Sequence, residues 1–271
     1  MPLAVCATPI GNLGDVTLRV LEELRAADAV LCEDTRRTKI LLDRHEIRAR
    51  RLVSLHRHNE ARRTEELLPL LTAGERHALV SDAGLPGVND PGGRLVAAAL
   101  AAGVEVTVLP GASAVETALV ASGLAGERFQ FLGYLPRGEA ALRSLWEEVG
   151  AWSHPVVAFE SPQRLPATLR SLVDALPERP VAVCRELTKR FEEVVRGSAA
   201  EVAERFREAP KGEITLVLGG GEAVGGELGD AGAAVAELVA AGVPRRQAAD
   251  VVGRLARISR NTLYAESLKS R

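Results

Sequence analysis

Short β-branched runs alternate with helical patterns along nearly the whole chain, and this alternation restricts the folds open to it. LAVCATPI, AVLCED, RLVSLH, HALVSD and VEVTVLP read as strands. Between them, VTLRVLEELRAA, NEARRTEELLPLL and GRLVAAALAAG carry apolar residues at helical spacing. Such a series predicts an α/β fold, a mainly parallel sheet with helices on both faces. The pattern then repeats. FQFLGYL, HPVVAFES, RPVAVCREL, EEVVRGS and EITLVLGG read as strands, and EAALRSLWEEV, RLPATLRSLVDAL and AEVAERFREA as helices. Pro166 falls in a first helical turn, where its missing N–H does little harm. The stretch GGGEAVGGELGDAG has no apolar periodicity and reads as a flexible linker. Beyond it a small helical module is expected, with Gly242 closing one helix, Pro244 at N1 of the next, and Ser259 and Asn261 at the entry of the last. The expected units are therefore 1–117, 118–220 and 221–271.

Charge is unevenly placed. The 271 residues carry 34 Lys and Arg against 36 Asp and Glu, a net charge of −2. Yet residues 35–63 hold ten basic and three acidic side chains, and residues 243–271 hold seven and two. Two basic blocks in an acidic chain point to polyanion contact at defined places, with solvated helix faces as the alternative. The 46% hydrophobic and 26% charged content excludes a disordered or fibrous chain. No apolar run reaches the roughly 18 residues of a membrane helix. MPLAVCATPI lacks a basic n-region, so no signal peptide is expected. Cys6, Cys32 and Cys184 are far apart and odd in number. Neither a zinc site nor a disulfide framework is expected, and a reducing cytoplasm fits.

Three loops stand at expected strand ends: residues 8–15 (TPIGNLGD), 81–93 (SDAGLPGVNDPGG) and 109–114 (LPGASA). The spacings of the dinucleotide fingerprint, the P-loop, the nucleophile elbow and the zincin helix are all absent. Each loop alone would be an ordinary turn. Three at one sheet edge point to a ligand held by backbone groups.

The segments TPIGNLGDVTLRVLEELRAADAVLCEDTRRTKILLDR, SDAGLPGVNDPG, LPGASAVETALVASGL, GYLPR, FESPQR, CRELTKRFEEVVRG and KGEITLVL occur in order. This series resembles the bacterial 16S ribosomal RNA ribose 2′-O-methyltransferases, which modify a cytidine in the decoding region and belong to the tetrapyrrole methylase superfamily of class III S-adenosylmethionine enzymes. The likeness spans essentially the whole chain. Leu85, Asn89, Phe159 and Gln163 depart from the residues more usual in that family. The resemblance implies two consecutive α/β/α methylase domains with the S-adenosylmethionine cleft between them, plus the small C-terminal helical module. It implies that Pro9 lies at the mouth of the first loop and that Ser81, Asp82, Ala83, Gly84 and Pro86 contact the donor, largely through backbone. Ser113 and Ala114 would line its adenosine side, and Glu160 and Leu187 would close the cleft from the second domain. It further implies a homodimer acting on 16S RNA in the small ribosomal subunit.

The expected chemistry is in-line displacement at a sulfonium methyl by a ribose oxygen, which needs positioning and a proton acceptor but no metal. Glu160, Glu186, Asp82 and His58 are the candidate acceptors. Glu160 and Glu186 are preferred because their motifs bring polar groups to strand ends, with Lys189 pairing one of them or holding a phosphate. Structural ion pairs to Arg164 and Arg185 are the alternative. His56 and His58 stand two apart on an expected strand, where metal binding would lack a third ligand. Glu33 and Asp34 are placed either to cap the following helix or to serve the site. Arg36, Arg37 and Lys39 are the preferred phosphate contacts, joined by His58 and by Arg245 and Arg246 of the tail. With aromatics at 3%, extensive base stacking is not expected. A corrin or porphyrin methyltransferase and a non-enzymatic RNA-binding factor are the competing readings. Loss of methylation on removing the basic tail would separate a ribosomal substrate from a small macrocycle.

Overall fold

The computed structural model describes residues 2–87, 89–221, 228–256 and 258–268. The first half alternates strand and helix: β1 (Leu3–Cys6), α1 (Leu18–Ala26), β2 (Ala29–Cys32), α2 (Thr35–Arg44), β3 (Leu52–Ser54), α3 (Glu60–Thr72), β4 (His77–Val80), α4 (Gly93–Ala101) and β5 (Val106–Leu109). These strands form one parallel sheet in the order β3-β2-β4-β1-β5. Side chains alternate across it. Ala4, Cys6, Val30 and Cys32 pack with Val20 and Leu24 of α1 and Leu41 of α2. Leu3, Val5, Ala29 and Leu31 pack with Leu67 of α3 and Leu95 of α4 on the other face. The helices after β1 and β4 thus leave to opposite faces although the two strands are neighbours. A crevice opens at such a switch point, outside the strands' C-terminal ends. Here the crevice holds the loops 8–15 and 81–93, which a Thr8–Gly84 bridge ties together.

After β5 come α5 (Ala114–Ser122), β6 (Gln130–Tyr134), α6 (Glu139–Gly150), β7 (Val156–Glu160), α7 (Leu165–Ala175), β8 (Pro180–Arg185), β9 (Glu193–Ser198), α8 (Ala199–Arg205) and β10 (Ile214–Leu218). The second sheet has the order β6-β7-β10-β8-β9. Only β6 and β7 pair in parallel; the remaining pairings are antiparallel. This departs from the mainly parallel expectation. The segment between β8 and β9 holds no helix, so the chain turns straight back on itself, as only antiparallel neighbours can. One face of this sheet packs Val156, Ala158, Val183 and Leu216 against α6, α7 and α8, with Trp146 fully buried. The other packs Val157, Ala182, Cys184 and Val217 against Ala118 and Leu119 of α5, and Ile10 of the first loop joins that cluster.

The tail forms α9 (Leu228–Ala240), α10 (Arg245–Ala256) and α11 (Arg260–Glu266) around their own small core of Val235, Ala248, Val252 and Leu263. Residues 228–232, expected as linker, are the first turn of α9; residues 222–227 of that stretch lie outside the described residues. Gly242 (φ +90°) closes α9 as expected, Pro244 stands one residue before α10, and Ser259 caps α11. Among the described residues no helix is long and apolar enough to cross a membrane.

Candidate active site

A cleft of about 1110 Å³ runs between the C-terminal ends of the first sheet and the facing strand ends of the second. The first lobe contributes Ile10, Glu33, Arg37, Asp82–Leu85, Asn89, Asp90 and the start of α5; the second contributes Phe131, Tyr134, Phe159, Glu160, Leu187 and Glu213. The loop after β1 meets the second lobe at a close contact. Asn12 N donates to Thr188 Oγ1 at 2.9 Å. A Cβ at Gly11 would lie 2.8 Å from the carbonyl oxygen of Leu187, so only glycine allows this approach. The partner turn is itself bent by positive φ at Glu186 (+52°) and Thr188 (+65°).

The loop after β4 is braced from within. Ser81 is buried, and its hydroxyl donates to the carbonyls of Gly84 (3.1 Å) and Ala83 (3.3 Å). Thr8 Oγ1 donates to the Ser81 carbonyl at 3.0 Å. Asp82, Ala83 and Gly84 face the cleft, whereas Ser81, Pro86 and, in the first loop, Pro9 are buried and are not among its lining residues. Ser113 and Ala114 line the cleft where α5 begins, and Leu187 lines it from the second lobe.

The two preferred carboxylates sit in different settings. The Glu160 side chain is fully buried: Oε1 accepts from Ser161 N and Oε2 from Thr168 Oγ1, each at 2.6 Å, and Arg164 lies 3.3 Å away. Glu186 stands outside the cleft lining, with Oε1 held by Lys189 Nζ at 2.7 Å and Glu213 N at 3.0 Å. Lys189 also pairs with Glu213 at 2.9 Å, and these contacts hold the Glu186 carboxyl below its ordinary range.

Glu33 and Asp34, adjacent in sequence, divide the two roles considered for them. Asp34 caps α2: its Oδ1 accepts from Arg36 N at 2.8 Å, and Arg36 lowers its pKa to about 2. Glu33 faces the cleft, and burial with Asp82 nearby raises its pKa. Asp82 accepts from Asp34 N at 3.1 Å and lies 3.6 Å from Arg37. Asp90 is the carboxylic acid raised furthest, to about 6, by burial, then by Glu33, with a smaller push from Asp82. Sequence reasoning did not single it out; an acid inside a Gly- and Pro-rich strand-end loop was the available signal. Tyr134 faces this group, and its hydroxyl is raised by burial, Glu213, Asp90 and Glu33.

Arg36 and Lys39 are exposed on α2 beside the cleft, and Arg37 reaches its lining. His56 and His58 lie past β3, not on it, because Asn59 Oδ1 accepts from His56 N at 2.8 Å and bends the chain into a turn. Their rings meet edge-on at 6.0 Å, and no metal-binding group occurs among the described residues. In the tail, Arg245 is half-buried and donates to Ser267, closing α11, while Arg246 is exposed.

Residues 2–203 match the family described as Tetrapyrrole (Corrin/Porphyrin) Methylases. The chain belongs to the tetrapyrrole methylases. Among relatives of this methylase, a "Ribosomal RNA small subunit methyltransferase I" of Thermotoga maritima is 43% identical, covering 81% of this chain and 99% of that protein. One of the same name from Mycobacterium tuberculosis is 45% identical over 99% of this chain and 95% of that protein. Solved structures agree on the methylase fold. Uroporphyrin-III C-methyltransferase from Thermus thermophilus, complexed with S-adenosyl homocysteine, superposes with a TM-score of 0.56 at 21% identity, over 80% of this chain and 96% of that one. Diphthine synthase gives 0.61 at 16% identity, over 80% and 89%.

Proposed function

We propose that this methylase transfers the methyl group of S-adenosylmethionine to the ribose 2′-oxygen of a cytidine in the decoding region of 16S ribosomal RNA. The observation that carries the reading is that the likeness to ribosomal RNA small subunit methyltransferases runs through the basic tail, over 99% of the chain, beyond the family match that ends at residue 203.

The cleft suits the donor. Its acidic wall of Glu33, Asp82 and Asp90 complements a cation, and Ile10, Ala114, Val115 and Leu187 offer an apolar wall for a purine. When bound, S-adenosylmethionine supplies an electrophilic sulfonium methyl. Asp82, Ala83 and Gly84 present backbone to it from a loop already braced by Ser81 and Thr8, so little ordering remains on binding. Ser113 and Ala114 take the adenosine side, and Leu187 closes the cleft. Glu160 shapes that wall from beneath. Lys189 holds the turn that carries Leu187, through its pairs with Glu186 and Glu213.

Arg36, Arg37 and Lys39 on α2, with His58 at the next turn and Arg246 on the tail, hold RNA phosphates outside the cleft. A ribose is uncharged and can pass the acidic lining that repels phosphate. The protein acts in the cytoplasm on the small subunit, as a homodimer.

The test is methyl transfer from labelled donor to unmodified small subunits, free 16S RNA and a precorrin in parallel. Label at a cytidine 2′-oxygen supports the proposal. Label only in the macrocycle, or in none of the three, overturns it.

A further inference from the structure

Each acceptor considered from sequence is engaged or misplaced. Both Glu160 oxygens are taken within a fully buried side chain, and Glu186 is neutralised by Lys189 outside the cleft lining. Asp82 is tied to Asp34 N and Arg37, and His58 is not among the lining residues. Asp90 does line the cleft, and its loop is fixed on both sides. After it, Glu60 Oε1 accepts from both Gly92 N and Arg94 N at 2.9 Å, tying the start of α4 to the start of α3. Gly92 has φ +120°, and a Cβ there would stand 2.7 Å from Leu79 Cδ2. Before it, Asn89 takes φ +62° with its side chain against Gly133 of β6. Asp90 thus lines the cleft between a pinned helix start and the opposite lobe, with the Ser81 hydroxyl as a hydrogen-bond partner.

We propose that Asp90 accepts the proton of the ribose 2′-hydroxyl during methyl transfer, and that Glu60 is the positioning residue that keeps it in the cleft. This deepens the proposed function and rests on it. The 2′-oxygen forms its bond to the methyl carbon as the carbon–sulfur bond breaks. The bonding pair goes to sulfur, which becomes a neutral thioether, and the hydroxyl proton passes to the Asp90 carboxylate. One positive and one negative charge disappear together. The groups facing Asp90 are Glu33 after β2, Asp82 and Ser81 after β4, and Tyr134 on β6; Arg37 acts through Asp82, and Glu213 faces Tyr134. Burial, and after it the neighbouring carboxylates, make Asp90 a stronger base than an exposed aspartate.

The experiment is single-turnover methylation of unmodified small subunits on either side of pH 6, with donor affinity measured by calorimetry. For the wild type, the rate rises with pH to a plateau with its inflection near 6. Asp90→Asn lowers the plateau, read at saturating donor, about 10²–10⁴-fold and removes the inflection, while donor affinity falls only a few-fold because Glu33 and Asp82 remain in the acidic wall. Full rate at saturating donor, or a retained inflection, in this variant overturns the assignment. Glu60→Ala lowers kcat about tenfold, and Glu60→Gln, whose amide oxygen still accepts both N–H groups, restores it. A Glu60→Ala protein that loses only thermal stability overturns the positioning role. A wild type that labels no ribosomal RNA defeats instead the functional reading beneath both.

Discussion

Glu160 offers the sharpest separation of a structural carboxylate from a chemical one. Glu160→Ala strands two donors, Ser161 N and the hydroxyl of buried Thr168, each now bonded at 2.6 Å. Leaving a buried donor unmade costs about 1–3 kcal/mol. Arg164 loses its carboxylate too, but it is a quarter exposed and keeps the Leu135 carbonyl at 3.2 Å, so it adds little. The expected loss is about 3 kcal/mol, or roughly 6–12 °C in Tm for a chain of this size. Glu160→Gln keeps an acceptor for Ser161 N and turns its amide toward Thr168 Oγ1, which can accept; about 1 kcal/mol is lost. Thermal denaturation measures both changes. Single-turnover methyl transfer, run well below each variant's Tm, measures the chemistry. Glu160→Gln should keep the wild-type rate within a few-fold. A 10²-fold or larger drop with Tm nearly unchanged would refute this reasoning and return Glu160 to the role of proton acceptor.

Other expectations are as direct. Gly11→Ala drives a methyl group against the Leu187 carbonyl and breaks the Asn12–Thr188 bond, so donor affinity falls at least tenfold, about 1.4 kcal/mol by calorimetry, while the far-ultraviolet spectrum is unchanged. Burial pushes the Cys6 thiol up to about 12 and Cys184 to about 11, and raises Cys32 as well; none should react with a disulfide reagent at pH 8 until the protein is unfolded. Removing residues 227–271 should abolish methylation of small subunits and leave donor affinity intact, because the tail packs around its own core and none of its described residues lines the cleft.

The first lobe was legible because its central strands β1, β2 and β4, buried on both faces, read as short apolar runs between amphipathic helices. The same rule misread the second. There RPVAVCREL passes to EEVVRGS across only Thr188–Phe191, too few residues for a crossover helix, and that hairpin signal outranked the general alternation. The strand-end loop 81–93 was legible from turn chemistry, while the choice of its donor-facing residues came from the family resemblance. Glu33 and Asp34 were not separable, since a cap and a cleft acid differ only in where the strand ends. Asp90 and Glu60 were hidden for another reason. Glu60 joins the start of α3 to the end of the loop that carries Asp90, some thirty residues later, through the backbone N–H groups of Gly92 and Arg94, which leave no mark on residue type.

The placement of charge also explains how one cleft serves two ligands of opposite sign. The basic residues of α2 lie at the rim, and the carboxylates Glu33, Asp82 and Asp90 lie within. Interactions among such groups are screened over about 8–10 Å in physiological salt, so rim and floor present distinct potentials to what approaches. RNA phosphates are favoured at the rim and excluded from the floor. A cationic donor is favoured at the floor, where lower solvent exposure strengthens the attraction. Methyl transfer removes the sulfonium charge, and with it the attraction to the acidic wall. The same carboxylates therefore favour donor over product, and the wall's sign biases exchange of the spent thioether for fresh donor.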